Sequence, residues 1–400
     1  MRTSYDVVIV GGAVIGSAVA YFLSANPDFN GSILMVERDA TFAQASTSLS
    51  ASSIRNQFSN PLNVQISQFG TEFIRDFADT MQVDDDRPDL NFHEGGYLFL
   101  AASEDQARTL RENHAVQRDL GVDVVLWQPD QISAAFPHLN VDDLRLASYG
   151  QSGEGWFSNT GLMNGFRKKA RAQGVDYIID EVTGITRVGA RITGVTLASG
   201  QFVACGTLVN AAGARAARTA EMAGLCLPVE PRKRTIFVFD CAQSPEGTAT
   251  VNNGHLPIMI DPSGTFCRPE GKYFLAGTVP RDDVAVDYGD FDPRHDEFER
   301  LWMDLAQRSR SFEAIKVINF WAGHYAFNTL DHNVVAGPHN VVRNFIFANG
   351  FSGHGLQQSP AIGRGLAEWI TYGAFQTLDL GAVGYGRIAR NQPFLEKSVI

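Results

Sequence analysis

Cysteine is scarce: Cys205, Cys226, Cys241 and Cys267 are the only four in 400 residues, and no two stand in a C-x-x-C or other metal-ligand spacing. Neither a zinc centre nor a redox dithiol is expected from them, only reduced, buried thiols. Long apolar runs are missing too, with no stretch near the roughly 18 residues that a membrane-crossing helix requires. The chain enters its first strand within a few residues of Met1, which leaves no room for a signal or transit peptide, so a cytoplasmic location is expected. Positive charge is in deficit. With 33 Lys and Arg against 44 Asp and Glu, the formal net charge is −11, which argues against nucleic acid as a partner because phosphate contacts need clustered cations. The one basic run, Arg232-Lys233-Arg234, reads as a local ion-pairing or strand-edge feature. Repeats and low-complexity tracts are absent. So is any recognisable Ser-His-Asp or paired-carboxylate arrangement. The rest of the composition, 44% hydrophobic and 19% charged, is ordinary for a globular enzyme, and the length allows two or three domains of about 150 residues.

Against that background one stretch is dense with information. Tyr5 to Glu37 reads as a strand, a glycine turn, a helix and a second strand ending in an acid. Val7 to Val10 form an unbroken branched run suited to a parallel strand buried on both faces. Gly11-Gly12-Ala13-Val14-Ile15-Gly16 follows directly. Gly11 permits the tight turn, Ala13 stands where backbone approaches a pyrophosphate, and Gly16 lets helix and strand pack closely. The helix N-terminus supplies free N–H groups and partial positive charge to phosphates. Glu37 lies about 20 residues past the last glycine, where its carboxylate accepts from a ribose 2′-hydroxyl and repels a 2′-phosphate. The stretch therefore predicts a dinucleotide grip, for which NAD and FAD are equally admissible.

Farther along, Thr41 to Ser59 (TFAQASTSLSASSIRNQFS) is rich in Ser and Ala and suits either a loop packed on a cofactor or a plain polar connection. Val64, Ile66, Phe69, Phe73, Ile74 and Phe77 form a helical stripe. The acidic, proline-containing stretch near Asp84 to Pro88 marks a boundary before a strand at Gly95 to Leu100. Ser199-Gly200 makes a hairpin turn, and Thr207 to Ala214 (TLVNAAGA) runs a buried strand into a small-residue turn. Asn344 to Leu356 (NFIFANGFSGHGL) is a strand feeding a glycine-rich loop, with a helix from about Gln358 to Tyr372. The expected class is α/β, with α+β character in the second domain. Segments 1–84, 145–222 and 323–378 would build a Rossmann-like nucleotide domain, 85–144 and 223–322 a sheet-rich substrate domain, and 379–400 a C-terminal tail.

Four places together, GGAVIG with Glu37, the serine-rich stretch, TLVNAAGA and ANGFSGHGLQQSPAIGRGLAEWI, resemble the FAD-dependent oxidoreductases of the D-amino-acid oxidase and sarcosine oxidase family. The resemblance covers essentially the whole chain. Within it, FWAGHYAFNTLDHNVVAGPH and FQTLDL are most similar to a branch holding a mitochondrial flavoprotein linked to complex I assembly and its bacterial relatives. The resemblance implies FAD as cofactor. Its pyrophosphate would lie at Gly11, Gly12, Ala13, Val14, Ile15 and Gly16, and its adenine and ribose near Glu37 and Arg38. Val182 would meet the adenine by backbone, and Ala212 and Gly213 belong to the third contact motif. Ser46, Thr47 and Ser53 would flank the flavin half, and Gly350, Gly353, His354, Gly355, Leu356 and Gln357 would cradle the ring and ribitol. The helix after that loop would stabilise negative charge on the reduced flavin.

The chemistry so implied is hydride transfer from an amine-bearing carbon to flavin N5, giving an imine that water hydrolyses. The substrate would be a small carboxylated amine, such as an N-methyl or D-amino acid. Arg55 matches an arginine that binds substrate carboxylate in sarcosine oxidases, and its fork suits both oxygens; the alternative is an ordinary ion-pairing arginine. His324 and Tyr325 fall in the segment that lines the flavin's reactive face. A histidine there has a pKa suited to proton transfer, although a lone strand histidine is more often structural, and His354 suits a role in shaping its loop. There are three departures from the sarcosine oxidases. Gln357 stands where they carry a carboxylate-binding lysine, Gly323 where they link flavin through cysteine, and Arg268 in the region of their oxygen-activating lysine. With no histidine in the serine-rich loop either, noncovalent FAD is expected. Reoxidation by O2 or by an electron-transfer partner stays open. Two alternatives remain at this point, 2-hydroxy-acid oxidation on the same fold and a flavin-containing assembly protein with little turnover.

Overall fold

The computed structural model describes residues 2–245, 247 and 251–397. Two eight-stranded sheets organise it. The first has strand Ser4–Val10 near its middle, paired in parallel with Ile33–Glu37 on one side and Phe202–Asn210 on the other. Asp176–Ile179 and Phe345–Asn349 extend it in parallel, Val335–Pro338 adds an antiparallel edge, and the hairpin Val182–Val188 with Arg191–Leu197 joins along Phe202–Asn210. The strand's branched run is explained by its burial on both faces. Val7 and Ile9 point into one apolar cluster, with Ala18, Leu23 and Ile362, while Val8 and Val10 point into another, with Leu34, Val203 and Phe347.

Helix Val14–Ser24 packs on the first of these faces against helix Gly355–Tyr372. The contact is close because Gly363 lacks a side chain: a Cβ there would lie 2.9 Å from the Ala18 carbonyl carbon. The second helix starts at Gly355, three residues earlier than the pattern predicts, and contains Pro360. The carbonyl of Leu356, which the proline cannot serve, accepts from Ser359 Oγ at 2.9 Å.

The second sheet runs in the order Ile315–Asn328, Val229–Cys241, Tyr273–Gly277, Phe266–Glu270, Ile258–Ile260, Tyr97–Ala101, Leu146–Gly150, Val124–Trp127. Alternation divides its faces. Phe237, Phe239, Leu98, Tyr149 and Phe274 pack beneath Leu301 and Leu305 of helix Glu297–Arg308, whereas Ile236, Ile258, Ile260 and Tyr97 turn to the opposite side. Strands Leu146–Gly150 and Ile315–Asn328 both belong to this sheet, through antiparallel pairing with Tyr97–Ala101 and Val229–Cys241. The expected boundaries at 145 and 323 cut across those ladders.

The stretch 379–397 docks back on the body. Glu396 accepts the backbone N–H of Ser59 at 2.7 Å and Asn63 Nδ2 at 2.8 Å, so its carboxylate serves the N-terminus of helix Pro61–Arg75, whose Asn60 cap makes no side-chain bond to the helix. Among the described residues no helix is long and apolar enough to cross a membrane, and no group of three or more His, Cys, Asp and Glu is placed to hold a metal ion.

Candidate active site

A cavity of about 320 Å³ is lined from both sheets, within the usual range for small-molecule sites. At the carboxyl end of the first sheet its walls are Gly11, Ala13, Val14 and Ile15, then Glu37 and Arg38, Val182, Ala212 and Gly213. The turn works by close approach. Gly11 has φ +100°, and a Cβ on it would lie 2.5 Å from the Ala211 oxygen; one on Gly16 would lie 1.9 Å from the Gly11 oxygen. Gly12 donates its N–H to Glu37 Oε2 at 2.7 Å, and Asp39 donates to Oε1 at 2.9 Å. Two backbone donors thus hold the Glu37 carboxylate at the cavity wall with lone pairs to spare for hydroxyl groups. The Ala13 methyl packs against the apolar cluster behind the helix, which is why the smallest side chain is tolerated there. Arg38 donates to Gln44 at 3.2 Å.

The serine-rich segment crosses the middle of the cavity, and no helix or strand forms between Thr41 and Ser53. Several of its hydroxyls find partners within the protein. Thr47 Oγ1 accepts the Val14 N–H at 3.3 Å, taking a donor that the uncapped helix start leaves over. Ser46 donates to the His324 carbonyl at 2.6 Å, and Ser53 accepts from the Tyr97 hydroxyl at 2.7 Å. Arg268, buried, donates to the Ala51 carbonyl from Nε at 3.1 Å and from Nη2 at 2.7 Å, and pairs with Glu270 at 2.5 Å.

At the far end stands Arg55, only 3% exposed. Its backbone is held on both sides, the N–H by Gln357 Oε1 at 2.8 Å and the carbonyl by Ser67 Oγ at 2.5 Å. Its guanidinium lies 4.6 Å from the Phe58 ring centre and 5.5 Å from that of Phe99, and Nη2 is 3.1 Å from His354 Nε2. Because a guanidinium only donates, His354 Nε2 is the acceptor and its proton sits on Nδ1. Burial, and then the charge of Arg55, push the His354 pKa well below its usual value. Tyr325 lines the cavity. The Arg234 guanidinium lies 4.8 Å from its ring centre, and a Cβ on Gly353 would come within 2.5 Å of the ring. Ile236, Ile258, Ile260 and Phe266 supply an apolar wall.

The family model described as DAO, FAD dependent oxidoreductase, matches residues 6–369. The chain belongs to this family. It is 41% identical to FAD-dependent oxidoreductase domain-containing protein 1 of Xenopus laevis, over 99% of this chain and 85% of that protein. It is 26% identical to sarcosine oxidase subunit beta of an Arthrobacter species, over 92% and 87% of the two chains. L-proline dehydrogenase from P. horikoshii, at 23% identity, superposes with a TM-score of 0.85 over 98% of this chain and 100% of that one, a match of fold.

The residues present fit the cofactor of an FAD-dependent oxidoreductase. Two helix N-termini open onto the cavity, at Val14 and at Gly355, and neither has an acidic residue in its first turn or a side-chain bond from its own cap. Both are electropositive and rich in unspent N–H donors, as a pyrophosphate at one end and a polarised ring edge at the other require.

Among the residues expected to touch cofactor, Gly12, Gly16 and Gly350 do not line the cavity. Gly12 and Gly16 act one layer beneath, through the Glu37 bond and the helix–strand contact, and Gly350 makes a turn at φ +71° under Val229. His324 lines the wall, but its Nε2 is 2.7 Å from the Asp290 carbonyl, so that nitrogen carries the proton and donates it, and the ring stacks on Phe291 at 4.2 Å. Burial lowers its pKa. Gln357 turns its oxygen to Arg55 rather than away from it. The sequence reading missed Tyr97 and Arg234 as wall residues. Arg234 lay in the basic run, and its bidentate bond to Asp283, at 2.6 and 2.9 Å, is the ion pairing that run announced. Tyr97 was visible only as one aromatic in a strand.

Proposed function

We propose that the chain oxidises a small carboxylated amine, of the N-methyl or D-amino-acid type, with noncovalent FAD. The first sheet would carry the cofactor and the second the substrate. The observation that carries the proposal is Arg55, a buried cation at the apolar end of the cavity whose backbone is fixed on both sides. FAD, when bound, supplies a two-electron oxidant that takes hydride at N5 from the carbon bearing the amine, leaving an imine that water hydrolyses.

The chain's own part is binding and orientation. Arg55 would take the substrate carboxylate in its fork, and Tyr325, close to both Arg234 and Gly353, would set the substrate's tilt. The wall of Ile236, Ile258, Ile260 and Phe266 favours the neutral amine and keeps water from the transfer. The helix beginning at Gly355 would stabilise charge arriving on its side of the cavity. The name of the sarcosine oxidase relative points to a substrate of the same class. Noncovalent attachment is supported by the cavity lining, which among the described residues contains no cysteine and has Gly323 at the position in question. The acceptor that closes the cycle, O2 or an electron-transfer partner, and a cytoplasmic location belong to the same proposal, tested by oxygen consumption and by cell fractionation.

Anaerobic titration of the FAD-loaded protein with candidate amines and the matching 2-hydroxy acids tests the reaction. Bleaching of the flavin by an amine is expected, with Arg55→Ala raising KM at least about tenfold for loss of a charge-assisted bond. Bleaching by hydroxy acids alone would replace the substrate class. Inertness towards both, with co-purification of a respiratory or dehydrogenase subunit, would favour an assembly role.

A further inference from the structure

Directly behind Arg55 lies a carboxylate that the proposed chemistry does not use. Glu154 is fully buried, and space has been made for it: a Cβ on Gly150 would lie 1.9 Å from its Oε2. Its Oε1 accepts the backbone N–H of Asn56 at 2.6 Å, and its Oε2 accepts Gln57 Nε2 at 2.8 Å. Gln57 is locked in turn, its Nε2 reaching the Tyr97 carbonyl at 3.1 Å and its Oε1 accepting Ser148 Oγ at 2.7 Å. The Glu154 carbonyl accepts the Gly96 N–H at 3.0 Å, and neighbouring Gly155 pairs with Ile54 at 2.9 Å in both directions. The three residues from Arg55 to Gln57 are thus clamped between Gln357 and Ser67 on one side and Glu154 on the other.

We infer that Glu154 is the positioning residue of the carboxylate site: in its ionised form it holds the Arg55–Gln57 segment so that the guanidinium is already aimed when the substrate arrives. The inference rests on the reading of Arg55 as the carboxylate anchor. A carboxylate accepts both donors in charge-assisted bonds, whereas a carboxylic acid accepts them only as weaker neutral bonds and adds an O–H that needs an acceptor of its own. Protonation therefore loosens the clamp.

The groups facing Glu154 leave it as the one that changes charge near neutrality. Arg55 comes from its own clamp, Tyr97 and Tyr149 from the two adjoining strands, and the Arg75–Glu94 pair and Asp123 lie farther out. Burial pushes Tyr149 up to about 12 and raises Tyr97, so both stay neutral. His354, beyond Arg55, is already neutral. Burial, opposed by the two hydrogen bonds and Arg55, brings Glu154 up to about 7. Ionised above that value, it is the positioning form; as pH falls through it the clamp is lost.

The test is binding of acetate, propionate and glycolate to the FAD-loaded full chain, read from the flavin spectrum between about pH 8 and about pH 6. These probes carry no amine and stay ionised throughout. Dissociation constants of the wild type should rise on acidification, by about tenfold overall, the value of one hydrogen bond to a charged group. Glu154→Gln, which sets an NH2 against a donor, should bind about tenfold more weakly and lose the pH dependence; Glu154→Asp, which keeps the charge, should recover part of the affinity. A wild type whose affinity is flat or tightens on acidification overturns the inference, and should Glu154→Gln fail to fold, that profile and Glu154→Asp still decide. Arg55→Ala separates the two readings. If it abolishes binding while Glu154→Gln binds normally, only the role of Glu154 falls; if it binds as the wild type does, the carboxylate site itself falls.

Discussion

Gln357 Oε1 lies 2.8 Å from the backbone N–H of Arg55 and joins helix Gly355–Tyr372 to a segment 302 residues earlier in the chain. The same oxygen receives Ser67 Oγ at 3.2 Å. Since the backbone N–H can only donate, the amide orientation is settled and the side chain acts as a brace. At the position where the resemblance implies a substrate-binding lysine, the acceptor is used to hold the Arg55 backbone.

Gln357→Lys should therefore not enlarge the carboxylate site. It would leave the Arg55 N–H buried without its acceptor and put a second cation near the first. Stability should fall by about 1–3 kcal/mol, the penalty for one unsatisfied buried donor, while carboxylate affinity does not improve. Gln357→Glu, which keeps an oxygen in place, should lose less. Urea unfolding and carboxylate titration of the two variants check this.

Gly353 is the support of Tyr325. Its φ of +99° disfavours any side chain, and a Cβ would strike the Tyr325 ring at 2.5 Å. Gly353→Ala should lower stability by about 1–3 kcal/mol through backbone strain and should raise KM by displacing the ring. Adding Tyr325→Ala relieves the clash but not the strain, so the double variant should regain part of the lost stability. Thermal unfolding distinguishes these contributions.

The elements and the dinucleotide grip were legible because they are local. The run Val7–Val10, the turn from Gly11 to Gly16 and the acid at Glu37 act on one another within a single strand–helix–strand unit. The site was legible only in part, because its bonds join residues far apart: Arg55 to Gln357, and Asn56 to Glu154 across 98 positions. Glu154 stood between two glycines with nothing in its neighbours to tell a buried carboxylate from a loop acid. Gly350, which the resemblance implies as a cofactor contact, lies outside the cavity lining, and its positive φ serves a turn against Val229. The serine-rich segment could be read as either a cofactor loop or a polar connection, because the partners of Thr47 and Ser46 are ones that only the tertiary fold brings near.

His354 gives the protein an acid-sensitive element. Its folded pKa is lowered, so it stays neutral in the fold while the unfolded chain takes up a proton below about pH 6.5. The unfolded state then binds more protons, and the stability this group contributes is full above that pH and is lost as pH falls below it, by at most about 1.4 kcal/mol per pH unit. Glu154 acts with the opposite sign, since its folded value of about 7 exceeds the ordinary 4.5 and its contribution is lost as pH rises between them. A comparison of wild type with His354→Gln isolates the histidine: the difference in urea unfolding free energy should vary with pH below 6.5 and be constant above it. A constant difference throughout would show that His354 titrates in the fold as it does in the unfolded chain.

The docked C-terminal stretch depends on one buried ion pair. Arg387 Nε lies 2.6 Å and Nη2 3.1 Å from the oxygens of Asp331, which is completely buried, and the remaining guanidinium donors go to the carbonyls of Asn333, Val334 and Val383. Asp331 Oδ2 also takes the Phe394 N–H at 2.9 Å, which ties the pair to the segment that delivers Glu396 to the start of helix Pro61–Arg75. Removing one partner leaves an uncompensated charge in a dry place, so Arg387→Met should destabilise by about 3–5 kcal/mol. Adding Asp331→Asn removes the stranded charge, and the double variant should be more stable than Arg387→Met alone. Equilibrium unfolding of the three proteins measures the coupling. Because the same stretch anchors the helix that presents Ser67 to Arg55, Arg387→Met should also weaken carboxylate binding, and a variant that loses stability while binding carboxylates as tightly as the wild type would show that the tail and the site are independent.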